Sequence, residues 1–133
     1  MVIRGTVVDL TCADGVVVMD QGRIIGMLTY ILREKVLEIT SLDSLAEGKG
    51  LGTALVGRAL SIAQKHGCTR VVAVTTNDNI NAIRFYQKRG FDMARLYHGA
   101  LDVSRKLKPE IPLIGENGIP LKHEIEFEIT PPG

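Results

Sequence analysis

From Val2 to Leu42 the apolar residues alternate or run in short β-branched stretches, and glycine and charged residues punctuate them. Residues 2 to 10 and 15 to 20 read as strands joined by the turn Thr11 to Asp14. Gln21-Gly22-Arg23 turns into a strand from about Ile24 to Leu32, and Arg33-Glu34-Lys35 turns into the next, Val36 to Leu42. The period then changes. Leu51, Ala54, Leu55, Ala59, Ile62 and Ala63 share one helix face, and Lys65-His66-Gly67 closes that helix with cations in its last turn and a glycine cap. Val71 to Thr76 is nearly all β-branched, as a strand covered on both faces should be. The run from Val36 to Thr76 is therefore a strand, helix, strand crossover, whose strands pair parallel.

A second helix is expected from about Asn81, with Lys88 and Arg89 near its end and Gly90 as its cap. Phe91 to Tyr97 reads as a returning antiparallel strand. The tail holds a short helix around Leu101 to Lys106, a loop with Pro109, Pro112, Gly115, Gly118 and Pro120, and a last strand, Glu124 to Ile129. The I-E-F-E-I alternation in that strand predicts one wet face. The Pro/Gly loop reads as a crossover that carries the chain to its place in the sheet. These elements make an α/β (α+β) domain: a mixed, mostly antiparallel sheet of six or seven strands with helices packed on it.

Composition narrows the class without naming a chemistry. With 133 residues and 14.5 kDa, the chain is expected to form a single domain, residues 1–133, with one core. A net charge of +1 gives no reason to expect nucleic acid or an anionic membrane as partner, and no apolar run approaches a membrane span. Met1-Val2-Ile3-Arg4 lacks the apolar segment of a secretory leader, and Cys12 and Cys68 lack metal spacing, so no metal site is expected and a reducing cytoplasm fits.

The stretch from Leu42 to Thr53, L-D-S-L-A-E-G-K-G-L-G-T, joins a strand end to a helix start through Gly48, Gly50 and Gly52. Main-chain N–H groups there can close on an anion, and the first helical turn aims its own unpaired N–H groups at the same place. A Walker A loop is excluded, because Gly50 follows Lys49 where Ser or Thr is needed. A dinucleotide fingerprint is excluded too, because Leu55 stands three residues after Gly52. A glycine-rich turn that binds nothing is the plain alternative.

A second motif resolves the choice. Residues 77 to 91 read N-D-N-I-N-A-I-R-F-Y-Q-K-R-G-F. The two stretches, one helix and one strand apart, resemble the GNAT superfamily of N-acetyltransferases over roughly residues 16 to 97. The family's Q/R-x-x-G-x-G/A loop is matched by Gly50 and Gly52, with Glu47 at the first position. Its N-x-x-A-I/L-x-x-Y-x-K/R-x-G-F motif is matched by Asn79, Ala82, Ile83, Tyr86, Lys88, Gly90 and Phe91.

The resemblance implies a GNAT-like sheet with a splayed parallel strand pair and acetyl-CoA as co-substrate. The strand before the loop would offer main-chain groups near Leu42 to the pantetheine arm. The N–H groups of Lys49, Gly50, Leu51, Gly52 and Thr53 would receive the pyrophosphate, and Asn79 would assist from the far side. The family's two early helices have no room here, which leaves either an open site for a large acceptor or a pocket completed by a second copy in a homodimer.

The implied reaction is N-acetyl transfer to an amine of a small molecule or peptide, by direct attack in a ternary complex. The alternatives are a non-catalytic acyl-CoA-binding module of the same fold and a purely structural interaction domain. Tyr86 is the candidate catalytic donor to the departing thiolate, since a phenol of pKa about 10 can hydrogen-bond or protonate a group of pKa about 8.5. Its plain alternative is a core tyrosine. A lysine-like acceptor of pKa about 10.4 is neutral in fewer than roughly one molecule in a thousand at pH 7, so it needs a base. Glu38 is the candidate, on a strand face shared by alternation with Thr40 and Leu42; a strand glutamate beside Arg33 and Lys35 is more often a surface ion pair. His98 is a second candidate base, and Arg84 and Arg95 are candidate carboxylate anchors or plain surface charges.

Overall fold

The structure, a computed structural model, describes residues 2–3, 6–7, 14–44 and 50–132, with the side chains of the first four positions excepted. Its elements are β1 (Val2–Ile3), β2 (Thr6–Val7), β3 (Asp14–Asp20), β4 (Arg23–Arg33), β5 (Val36–Ser44), α1 (Leu51–Lys65), β6 (Arg70–Thr76), α2 (Ile80–Lys88), β7 (Asp92–Tyr97), α3 (Ala100–Leu107) and β8 (Glu124–Ile129). The main sheet has six strands in the order β3-β4-β5-β6-β8-β7, so the expected mixed fold is present. Between residues 14 and 44 the described chain is all strand and turn. Two compact units divide the chain: Thr11–Ala73 with Ile129–Gly133, and Met1–Leu10 with Val74–Glu128.

The first unit is a three-strand meander with a helix on it. Gln21 (φ 49°) and Gly22 (φ 77°) both take left-handed backbone, the geometry that lets a two-residue turn follow the strand twist. β5 then pairs parallel with β6 from Val36↔Arg70 to Ile39↔Ala73. Helix α1 buries Leu55, Val56, Ala59 and Ala63; Leu55, Ala59 and Ala63 are on the expected face, whereas Ala54 is exposed and Val56 is buried instead. Gly26 of β4 lets it come close: a β-carbon there would stand 3.4 Å from Leu55 Cδ1. Leu28 and Leu37, both fully buried, complete this core, and each such side chain contributes about 2 kcal/mol.

Three expectations change here. Residues 2 to 10 do not form one strand: Val2 pairs with Val7 and Ile3 with Thr6 in a small hairpin of their own, leaving three antiparallel strands of the main sheet, not four, before α1. The last strand, β8, is not at an edge. It lies between β6 and β7, and that interior position buries Glu124 and Glu126 where a wet face was expected. Tyr97 donates its hydroxyl proton to Glu126 Oε1 at 3.0 Å, one way that such burial is satisfied.

The third change is in β5. Thr29 faces Ser41 while Tyr30 faces Ile39, so Thr40 is an extra residue in a β-bulge. Cross-strand partners point to the same face. Ile39 and Leu42 therefore share the face of Leu28 and Tyr30, whereas Glu38 and Ser41 share the opposite one with Ile31 and Thr29. Simple alternation would have put Glu38 and Leu42 together, and the bulge separates them.

The second unit is shorter in its elements and richer in side-chain fastening. Asn77 Oδ1 accepts from the N–H groups of Lys122 and His123, each at 2.9 Å, and its Nδ2 donates to the Pro120 carbonyl at 2.9 Å. Asp78 is buried; it accepts from Thr76 Oγ1 at 2.5 Å and from the Glu116 N–H at 2.8 Å. Arg105 reaches from α3 to the carbonyls of Ile111, Pro112 and Leu121 at 3.3, 2.6 and 2.5 Å. The Pro/Gly loop is thus held at both ends as it carries the chain to β8.

Candidate functional site

Gly50 precedes α1 with φ 71° and ψ 13°, a left-handed conformation that turns the chain into the helix. Its carbonyl accepts the first intrahelical bond, from the Ala54 N–H at 3.0 Å. Helix geometry leaves the first N–H groups of α1, those of Leu51 and Gly52, without an intrahelical partner, while Thr53 has an interaction of its own. Among the described residues no side chain caps this end, and no acidic residue stands in the first turn. Leu51 and Gly52 are half-buried and Thr53 is exposed. The residues present fit an anionic group: partial positive charge, small residues Gly50 and Gly52 at the turn, and no carboxylate in the first turn of the helix. Lys49, with Gly48 and Glu47, lies outside the described residues.

Leu42 lies on β5 beyond the last parallel pair, Ile39↔Ala73, and pairs antiparallel with Leu28 on its other side. Main-chain groups of β5 from Thr40 onward therefore lie past the registered ladder and lead toward α1, which packs against β4 and β5. Leu42, Gly50, Leu51, Gly52 and Thr53 belong to this one unit. Glu38 is in it too, at 8% exposure and on the sheet face away from Leu55. It is a buried residue with an interaction of its own, not an exposed one.

Asn79 and Tyr86 belong to the other unit, on α2. Asn79 is the N-cap: its Oδ1 accepts from the Ala82 N–H at 3.1 Å, and helix formation accounts for that oxygen. Tyr86 is buried at 8% exposure among aromatic rings. Phe85 and Phe91 meet it edge-on with centroids at 5.3 and 5.2 Å, and Phe127 stacks on it at 5.7 Å. Removal from water pushes its phenol up to about 12. At neutral pH the group is therefore a firm hydrogen-bond donor and a reluctant acid.

The remaining candidates, His98, Arg84 and Arg95, belong to the second unit. His98 is exposed and stacks on His123 at 4.5 Å, while His123 Nδ1 accepts from the Gly99 N–H at 2.8 Å. Arg84 and Arg95 are exposed. Sequence reasoning missed Asp78, whose role depends on Gly115 in a distant loop, and the hydroxyl cluster of Thr29, Thr40 and Ser41. The signal for the latter is the Thr40-Ser41 doublet between the apolar residues Ile39 and Leu42.

Comparison with known proteins gives a consistent picture. The sequence profile of the Acetyltransferase (GNAT) family matches residues 8–91. The uncharacterized protein YdhI of Bacillus subtilis (strain 168) is 49% identical over 110 residues, 83% of this chain and 69% of its own length. The fold is similar to that of a Bacillus subtilis acetyltransferase in complex with CoA, with a TM-score of 0.77 at 23% identity, covering 91% of this chain and 78% of that one. A GNAT family acetyltransferase from Elizabethkingia anophelis with acetyl-CoA bound also has a TM-score of 0.77, at 22% identity and the same coverage, 91% and 78%. Among the described residues, no helix is long and apolar enough to cross a membrane.

Proposed function

The chain belongs to the GNAT acetyltransferase family, and from that premise we propose that it transfers the acetyl group of acetyl-CoA to an amine of a small molecule or peptide. The observation that carries this is the α1 N-terminus, which among the described residues has no side-chain cap and no acid in its first turn and is entered through a left-handed Gly50, together with a strand β5 that outruns its parallel partner. Bound acetyl-CoA supplies an activated acyl group and a thiol leaving group. The N–H groups of Gly50 to Thr53, joined by Lys49, receive its pyrophosphate, and the β5 main chain around Leu42 pairs with the pantetheine amides as an added strand would.

Amine attack forms a C–N bond at the thioester carbonyl and breaks the C–S bond, with a main-chain N–H near Leu42 facing the carbonyl oxygen. The electron pair leaves on sulfur, and the surplus proton leaves the nitrogen. Tyr86 serves the sulfur. With its phenol at about 12, full transfer to a thiolate of pKa about 8.5 runs uphill by roughly 5 kcal/mol, so Tyr86 acts by hydrogen-bond donation. Glu38 takes the amine proton, directly or through water. Its burial favours this role by keeping the carboxylate out of bulk solvent, and its position opposite the α1 face directs the acceptor there. Asn79 contributes the cap of α2 and, through its amide nitrogen, a donor for pantetheine.

Calorimetric titration with acetyl-CoA, followed by a panel of amines assayed for CoA thiol release, tests the reading. Binding and amine-dependent release are expected. Tyr86→Phe should lower the rate by about a hundredfold while leaving acetyl-CoA affinity unchanged. No uptake at millimolar acetyl-CoA ends the proposal; uptake without release for any amine leaves the acyl-CoA-binding module instead.

A further inference from the structure

We propose that Thr29 is a positioning residue, whose hydroxyl selects the residue that bulges from β5 and thereby sets the main-chain edge offered to acetyl-CoA. The proposal rests on the acetyl-CoA reading above. Thr29 Oγ1 lies 2.7 Å from Thr40 Oγ1 and 2.5 Å from Ser41 Oγ. Consecutive strand residues point to opposite faces, so one side chain reaches both hydroxyls only because Thr40 is the extra residue of the bulge. Each hydroxyl carries a single proton and two lone pairs, so Thr29 donates to at most one of its neighbours and accepts from at least one, and the three form a connected cluster.

The apolar pattern and the hydroxyls divide the work. Ile39 and Leu42 both face α1 although three positions apart, which requires one extra residue between them. Apolar burial cannot say whether Thr40 or Ser41 is that residue. The bonds from Thr29 decide it in favour of Thr40, which is buried at 6% exposure and needs a partner for its hydroxyl. The parallel ladder ends at Ile39↔Ala73, one residue before this point. Moving the bulge by one residue would put Thr40 in place of Ser41 opposite Thr29 and re-aim the main chain of both, on the edge that leads to Leu42 and that the pantetheine arm follows.

Thr29→Val keeps the shape, including the methyl group against Gly15, and removes both bonds. Acetyl-CoA affinity, measured by calorimetry well below the melting temperature, should fall about tenfold, with KM raised to match and kcat changed little; Thr29→Ser should restore both. Amide exchange at Thr40 to Leu42 should quicken in Thr29→Val and not in Thr29→Ser. A purely structural hydroxyl would lower the melting temperature and leave these readouts alone, so wild-type affinity in Thr29→Val overturns the proposal. Should Thr29→Val fail to fold, Ser41→Ala breaks one of the two bonds, and a loss of roughly threefold is expected; no loss is again the overturning result. Absence of acetyl-CoA binding by the wild-type chain, seen before any variant is made, rejects the underlying reading instead.

Discussion

The two units reach order by different means. In the unit built from β3, β4, β5 and α1, long strands and a 15-residue helix supply their own hydrogen bonds, and apolar contact adds most of the rest, with the Thr29 hydroxyl cluster as a local exception. In the unit built from α2, β7, α3 and β8, the helices have nine and eight residues, lengths at which an isolated helix is marginal in water. There, side chains from Asn77, Asp78, Arg105 and His123 bind main-chain groups and hold the irregular loop. A unit of the first kind can spare bare main-chain groups for a ligand, because its stability does not depend on them. A unit of the second kind commits its polar atoms to the fold and offers chemistry through what it buries, such as the Tyr86 ring.

The contrast is sharpest at two glycines. Gly115 has an ordinary negative φ of −97°, and what it needs is space: a β-carbon would stand 2.1 Å from Asp78 Oδ2. Gly115→Ala must displace a buried carboxylate and break its bond from the Glu116 N–H. Overpacking and the lost bond together predict a fall of about 4 kcal/mol in unfolding free energy. Denaturant titration checks this, and a change under about 0.5 kcal/mol would mean that Asp78 does not fasten the loop.

Burial of Tyr86 predicts the next largest effect. The folded phenol, at about 12, holds its proton where the unfolded one, near 10, has lost it. Across that window the native state binds more protons, so stability is full below pH about 10 and falls as pH rises toward 12, by roughly 3 kcal/mol. Tyr86→Phe has no such proton to lose and should show a correspondingly smaller alkaline decline. Equal declines in the two proteins would contradict the burial of the hydroxyl.

Sequence reasoning read the first unit better than the second for the same physical reason. Periodicity is visible where a helix or strand is held by its own face, and so the α1 face, the parallel crossover and the Gly50 turn were all legible. Where order comes from contacts between distant residues, such as Asp78 with Gly115, no local pattern announces them. The place of β8 between β6 and β7 is likewise a matter of topology, and its burial overrode the alternation of Glu124 to Ile129. The bulge at Thr40 escaped because alternation was assumed to run unbroken through β5, although the spacing of Ile39 and Leu42 already conflicted with it.

The smallest predicted effect belongs to Gly50, the counterpart of Gly115 in the other unit. Here a β-carbon would meet nothing within 4 Å among the described residues, and the constraint is the φ of 71°. Gly50→Ala should therefore cost about 1 kcal/mol, the price of left-handed backbone in a residue with a side chain. Gly50→Asn should cost less, since asparagine tolerates that region. Urea titration of the three proteins orders them. If alanine and asparagine prove equally harmful, backbone conformation is not what glycine supplies, and the argument that main chain alone shapes the entrance to α1 fails with it.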